Sequence, residues 1–287
     1  MSQCSLQFIT CADSAQGHRL YYRHWKAEAT ESAKTLVCVH GLTRNSHDFD
    51  VLAAALSAQT YQVLCPDMPG RGQSSWLAHP QDYNYNQYLQ DLQQLLQTVP
   101  DAQVDWIGTS MGGILGMLLA AQENMSIRRL VLNDVGAFLP QAALKRIARY
   151  LQHAPSEFSD IQAAEIYFRT IHAPFGKLSD AHWRHLTQYS IQQQPNGVCR
   201  LHYDPQIFKA FQTPVQDVSL WAQWKKVRCP TLLLHGMDSD LLLPATIVQM
   251  QQTHAALQVV HIADAGHAPS LMDATHIQII QDFLGAP

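Results

Sequence analysis

Gly108-Thr109-Ser110-Met111-Gly112 reads Gly-x-Ser-x-Gly, a pattern that suits a nucleophilic serine. The apolar run Val104-Asp105-Trp106-Ile107 leads into it, and the helix-compatible stretch Gly113–Gln122 follows. A serine on a sharp strand-to-helix turn sits in strained backbone. The residues two before and two after it approach so closely that side chains there would clash, which Gly108 and Gly112 avoid. Such a turn presents the Ser110 hydroxyl at the positive end of the following helix. Serine is a weak nucleophile until a base takes its proton and a third group holds that base. His267, after Val259–Gly266, is the candidate base, and Asp240, after Thr231–Ser239, is the candidate acid; each follows a strand-like apolar run. The spacing to Pro244 and the Ser-Asp-Leu-Leu pattern favour Asp240 over Asp238, which reads as a loop-stabilising side chain. Asp134, closing the run Arg129–Asp134, is a third candidate acid, with a structural carboxylate at a strand end as its other reading.

Among 15 histidines a single one carries little information, so His40 reads as an orienting or core residue of a His-Gly turn, and His235 and His261 as structural. Ser74 and Ser239 read as turn residues and Arg71 as structural. Arg44 either faces substrate or lies on the surface. No His-x-x-x-His or Cys-x-x-Cys pattern points to a metal site, and no cofactor is expected.

These residues need a scaffold that gathers them. Two strand-like segments, Leu6–Thr10 and Arg19–Trp25, flank a turn at Gln16-Gly17 and predict a hairpin. Thr35–Gly41 is a continuous apolar run, the signature of a strand buried on both faces. A helix over Ser46–Gln59, a strand over Tyr61–Asp67, a turn-rich loop Met68–Ser74 and a helix over Tyr85–Thr98 precede the Ser110 strand, and Arg129–Asp134 follows as the next strand. This alternation predicts a doubly wound, mostly parallel sheet with right-handed crossovers. It stops between about Gly136 and Lys226, where Gln141–Gln152 and Gln162–Ile171 look helical, prolines interrupt, and no buried strand stands out; strands resume at Thr231. The expected division is a core of residues 1–135 and 227–287 with a helical cap of residues 136–226 able to cover the catalytic edge, a peripheral helical decoration being the alternative.

The 287 residues suit this division, and 47% apolar with 15% charged residues is an ordinary globular balance. A net charge of −4 offers no basic field for nucleic acid. No apolar run of membrane-spanning length and no secretory leader is visible, so no membrane partner and, by default, a cytoplasmic location are expected. Of the six cysteines, Cys38 and Cys65 lie in strand patterns and read as buried hydrophobes, with no structural disulfide expected.

Taken together, the His40-Gly41 turn, the Asp67-x-x-Gly70-x-Gly72-x-Ser74 loop, the Ser110 elbow, Asp240 and Gly266-His267 make the chain resemble the α/β-hydrolase superfamily over nearly its whole length. The order Ser110, Asp240, His267 is the one that superfamily shows. Leu132–Gly136, Ser239–Leu242 and Gly266–Pro269 are similar to a group of capped bacterial carboxylesterase-type hydrolases. The resemblance implies an α/β-hydrolase fold, and an oxyanion hole made by the backbone N–H groups of Leu42 and Met111. It also implies hydrolysis of small to medium apolar esters through an acyl-enzyme, by a monomer or homodimer whose partner is a small-molecule ester. Serine at the elbow sets the chain apart from superfamily members that use aspartate there. Meta-cleavage C–C hydrolases keep the serine, but they usually carry a Gly-rich stretch after the third strand and a tryptophan after the histidine. Here Gly41-Leu42-Thr43-Arg44-Asn45 and His267-Ala268-Pro269 stand instead. Thioesterase, lactonase and cofactor-free haloperoxidase chemistry share the same triad, and a non-catalytic binding protein is the reading from a different class.

Overall fold

The computed structural model describes residues 3–11, 17–28, 33–101, 103–124, 127–211 and 215–285. Strands β1 (Cys4–Cys11) and β2 (His18–Trp25) form an antiparallel hairpin in register from Cys4↔Trp25 to Cys11↔His18. Of the turn expected between them, Gln16 lies outside the described residues and Gly17 has φ 67°. The chain then alternates through β3 (Lys34–Val39), α1 (Asp50–Ser57), β4 (Tyr61–Pro66), α2 (Tyr85–Gln97), β5 (Val104–Thr109), α3 (Met111–Ala120) and β6 (Ile127–Asn133). Next come β7 (Phe138–Leu139), α4 (Gln141–Gln152), α5 (Ile161–Ile171), α6 (Asp180–Ser190), β8 (Ile191–Gln193), β9 (Cys199–Leu201), β10 (Val218–Ser219) and α7 (Trp221–Trp224). The alternation returns with β11 (Thr231–Gly236), α8 (Pro244–Thr253), β12 (Leu257–Ile262) and α9 (Ala274–Gly285).

Eight strands make one sheet in the order β1-β2-β4-β3-β5-β6-β11-β12, antiparallel as far as the β2–β4 pair and parallel from β4 onward. The pleat sends alternate residues to opposite faces. On one face Val37, Val39, Trp106, Leu130, Leu132 and Leu233 pack against helices α2 and α3. On the other, Leu36, Cys38, Ile107, Val131, Leu232 and Leu234 pack against α1 and α9. Burial on both faces is why the middles of these strands read as apolar runs rather than as alternating patterns.

Register places the site. Val39 pairs with Gly108, Thr109 with Asn133 and Asn133 with Leu234, so the carboxyl ends of β3, β5, β6 and β11 lie level. The loops leaving them share one edge of the sheet, the crevice where open α/β sheets gather their functional groups.

The segment between β6 and β11 is mainly helical, with Ala143, Ile147 and Leu151 on the buried stripe of α4. It also holds two small antiparallel pairs, β7 with β10 and β8 with β9, where the sequence shows no strand. Strands of two or three residues are too short to display a period. All six cysteines are free thiols, and among the described residues no helix is long and apolar enough to cross a membrane.

Candidate active site

Ser110 sits between β5 and α3 with φ 52° and ψ −113°, a positive φ that costs a side-chain-bearing residue energy. The glycines around it permit the turn. A Cβ on Gly108 would lie 2.2 Å from the backbone of Gly112, and one on Gly112 would lie 1.9 Å from the Val39 carbonyl oxygen. Met111 opens α3, so its N–H lies among the first donors of the helix, which have no acceptor within it. Gly41 backs the serine, its Cβ position 3.8 Å from Ser110 Cβ, and Leu42 follows in the loop after β3.

His267, in the loop after β12, places Nε2 2.9 Å from Ser110 Oγ. Its Nδ1 lies 2.8 Å from Oδ2 of Asp134, the residue that follows β6. Asp134 is fully buried and accepts two further hydrogen bonds, from the Gly236 N–H to Oδ1 at 2.9 Å and from the Ser239 hydroxyl to Oδ2 at 2.5 Å. Its neighbour Asn133 donates to Thr109 Oγ1 and to the Pro269 carbonyl, tying the serine strand to the histidine loop.

The expectation that Asp240 orients the imidazole is thereby corrected. The chain turns at Gly236–Ser239, where the Ser239 N–H donates to the Gly236 carbonyl. That turn directs the Ser239 hydroxyl inward onto Asp134 and carries Asp240 outward. Asp240 instead forms a two-pronged ion pair with Arg146 of α4, at 2.5 and 2.7 Å, with both side chains nearly half exposed. Burial pushes the Asp240 carboxyl up, but the hydrogen bonds and charge of Arg146, with a smaller contribution from His267, outweigh it and hold the group below the usual carboxylate range. Asp238 is exposed and is tied in through its backbone N–H to the Ala265 carbonyl.

The loops behind the site are held by buried polar residues. His40, fully buried, accepts the Met68 N–H at Nε2, so Nδ1 carries the hydrogen toward the Gly41 carbonyl. Asp67 accepts from the backbone N–H groups of Ser46 and Gln73, joining the loops after β3 and β4. Arg71, also fully buried, donates to the carbonyls of Leu42 and Pro69 and to the Tyr88 hydroxyl. Arg44 is buried rather than on the surface, with a two-pronged pair to Asp48 and a 2.6 Å hydrogen bond to Ser190. His172, kept neutral by burial and by the Arg44 charge, accepts a longer bond from the same guanidinium. His235 and His261 pair through their Nδ1 atoms at 2.9 Å.

Ser110 and His267 line a cavity of about 70 Å³ together with Arg44, Arg146, Ile147, Tyr150 and His172. Leu42 belongs to this cavity and to a second, apolar one of about 510 Å³, lined by Tyr88, Met111, Ile114, Leu139 and Leu144 among others. The roles of Asn133, Ser239 and Arg146 are not legible in the sequence; the one signal for Asn133 is a polar pair closing the apolar run Leu130–Leu132. Among the described residues, Cys11, His18 and Asp91 also bring donor atoms together, on β1, β2 and α2. There His18 Nε2 lies 2.9 Å from the Asp91 carboxylate, which also accepts from Gln87.

An imidazole bonded on one side to a buried carboxylate and on the other to a hydroxyl can draw the hydroxyl proton, and the carboxylate steadies the imidazolium that results. Comparison with known proteins identifies the family whose fold carries this arrangement. A family model described as the alpha/beta hydrolase fold matches residues 34–274. The chain is 38% identical over 287 residues to a 3-hydroxybutyrate-oligomer hydrolase of Cupriavidus necator, covering 97% of each protein. A solved structure from Rickettsia typhi superposes with a TM-score of 0.89 at 34% identity, covering 98% of both chains. An alpha/beta hydrolase from Novosphingobium aromaticivorans gives 0.88 at 32% identity over 99% of both. By its sheet order, by the serine turn between β5 and α3 and by this likeness over nearly its full length, the chain belongs to the α/β-hydrolase family.

Proposed function

We propose that this protein is a serine carboxylesterase whose catalytic residues are Ser110, His267 and Asp134. The observation that carries the reading is the continuous hydrogen-bonded run from Asp134 through His267 to Ser110, at 2.8 and 2.9 Å, ending at a strained serine on the amino end of α3. His267 Nε2 takes the Ser110 proton as Oγ bonds to the ester carbonyl carbon. The N–H groups of Leu42 and Met111 receive the oxyanion, one such donor being worth roughly 3–4 kcal/mol in the transition state. The C–O bond to the alcohol then breaks, and His267 protonates the leaving oxygen. A water that loses its proton to the same nitrogen attacks the acyl-enzyme, and the proton returns to Ser110 as the acid departs.

Residues 136–226 act in this reading as a cap over the catalytic edge. The support is that Ile147, Tyr150, His172 and Phe175 line the same cavity as Ser110 and His267. The apolar cavity beside Met111 is placed to receive the acyl chain. The C. necator relative is named for 3-hydroxybutyrate oligomers, whose units are joined by esters, and this supports a short hydroxy-acid ester as the natural substrate.

The test is hydrolysis of p-nitrophenyl esters from acetate to laurate by the native protein and three variants. Ser110→Ala abolishes turnover with the fold intact. Asp134→Asn lowers kcat by about 10⁴-fold, the loss known for the wrong imidazole tautomer in a serine protease. Asp240→Asn stays within a few-fold of native. Equal losses from Asp240→Asn and Asp134→Asn would return the acid's role to the loop after β11, and absence of turnover on every ester would remove the esterase reading.

A further inference from the structure

The cavity that holds Ser110 has an uneven charge. Arg44 and Arg146 both line it, and no carboxylate does among the described residues. The two arginines are held very differently. Arg44 is 5% exposed, locked by Asp48 and Ser190, and its charge is spent inside the fold. Arg146 extends from α4 and has as partner only Asp240 among the pairs described, with side chains 43% and 47% exposed. An ion pair so open to solvent is held weakly, because water competes for both partners. Arg146 can therefore exchange one carboxylate for another at little cost, whereas Arg44 cannot. Its forked guanidinium suits a carboxylate through two parallel hydrogen bonds.

We infer that Arg146 is a substrate-binding residue that takes the free carboxylate of an ester acid, with Asp240 as the resting partner it gives up. The inference rests on the esterase reading above and narrows it to a substrate class, hydroxy-acid esters whose leaving alcohol carries a carboxylate. The two cavities divide such a substrate. The apolar one beside Met111 receives the acyl side, and the small one with Arg146 receives the charged leaving group. In an oligomer of 3-hydroxybutyrate, the unit at the carboxyl end fits this description, because its carboxylate lies two carbons from the ester oxygen. The protein then removes one hydroxy acid per turnover from the carboxyl end. Water adds across the terminal ester bond, leaving an acid on the shortened chain and a hydroxyl on the released unit.

The experiment compares the linear dimer of 3-hydroxybutyrate as its free acid with its methyl ester, which keeps the scissile bond and removes the charge. The readout is the ratio of kcat/KM, acid over methyl ester. The native ratio is expected to be about 10 to 100, the range for a hydrogen-bonded charge partner. Arg146→Gln brings it to about 1, Arg146→Lys keeps part of it, and Asp240→Asn raises it by removing the competing carboxylate. The native preference also shrinks as salt is raised from 0.05 to about 0.5 M, as expected for a partly exposed charge pair. A native ratio near 1, or a ratio unmoved by Arg146→Gln, overturns the inference and leaves the esterase reading standing. Failure to cleave either form, with no turnover of p-nitrophenyl esters, overturns both.

Discussion

Asp134 shows how much of the chemistry depends on where a single carboxylate ends up. It is buried and receives hydrogen bonds from Gly236, Ser239 and His267, so it is held by two separate parts of the chain, the turn that ends β11 and the loop after β12. Gly112 is as constrained, for steric reasons. Its missing side chain is what lets α3 approach β3, since an added Cβ would stand 1.9 Å from the Val39 oxygen and 2.5 Å from the Val39 carbonyl carbon. Both obstacles are backbone, which cannot rotate away. Gly112→Ala is therefore expected to destabilise the fold by about 3 kcal/mol or more, the upper range of overpacking penalties. At Gly113 the nearest obstacle is a side-chain methyl of Val135, at 2.5 Å, so Gly113→Ala costs less. Urea unfolding of the two variants measures the difference, and equal midpoints would contradict this account of the turn.

At the scale of elements, the loops after β3 and β4 are joined by His40. Burial lowers its pKa to about 4 from an ordinary 6.5, with Arg71 working in the same direction and Asp67 against it. The unfolded chain binds a proton at this position between those values and the folded chain does not. The stability that neutral His40 contributes is thus complete above pH 6.5 and is lost as the pH falls toward 4. The full contribution is on the order of 3 kcal/mol. His40→Gln is expected to flatten the unfolding free energy between pH 7.5 and 4.5 by a comparable amount, measured in urea at both pH values. An unchanged slope would place the acid sensitivity elsewhere, for instance at His172. The same scale shows what sequence could and could not convey. Strands β3 and β11 carry apolar residues on both faces and announce themselves as apolar runs, β5 does so despite Asp105, and Gly108 and Gly112 mark the serine turn by sterics alone. The acid was harder to read because β6 and β11 are neighbours in the sheet and each is followed by an aspartate. What separates Asp134 from Asp240 is the turn at Gly236–Ser239, which points a serine inward and an aspartate outward. Chain order is identical for both, so no pattern of spacing decides between them. The pairs β7–β10 and β8–β9 are too short for periodicity, and the first joins residues distant in sequence.

The molecule as a whole sets a small charged cavity at the serine against a large apolar one reached past Leu42. The walls of the large cavity come from both parts of the chain. Tyr88, Ile114 and Leu118 belong to helices on the sheet, whereas Leu139, Leu144 and Leu220 belong to the segment between β6 and β11. Helix α4 thus serves both cavities, offering Leu144 to the apolar one and Arg146, Ile147 and Tyr150 to the one at Ser110. If acyl chains enter the apolar cavity, its volume limits their length, and a larger side chain from α4 shortens the limit without touching the catalytic residues. Leu144→Trp is accordingly expected to shift the optimum of p-nitrophenyl ester hydrolysis toward shorter chains and to lower the laurate-to-acetate ratio of kcat/KM by about 10-fold or more, because an overfilled pocket must displace packed atoms. Ala142→Trp, on the exposed side of the same helix, is the control and keeps the native profile. A Leu144→Trp profile that matches this control would mean that the acyl chain lies elsewhere, and that the apolar cavity does not set chain-length selectivity.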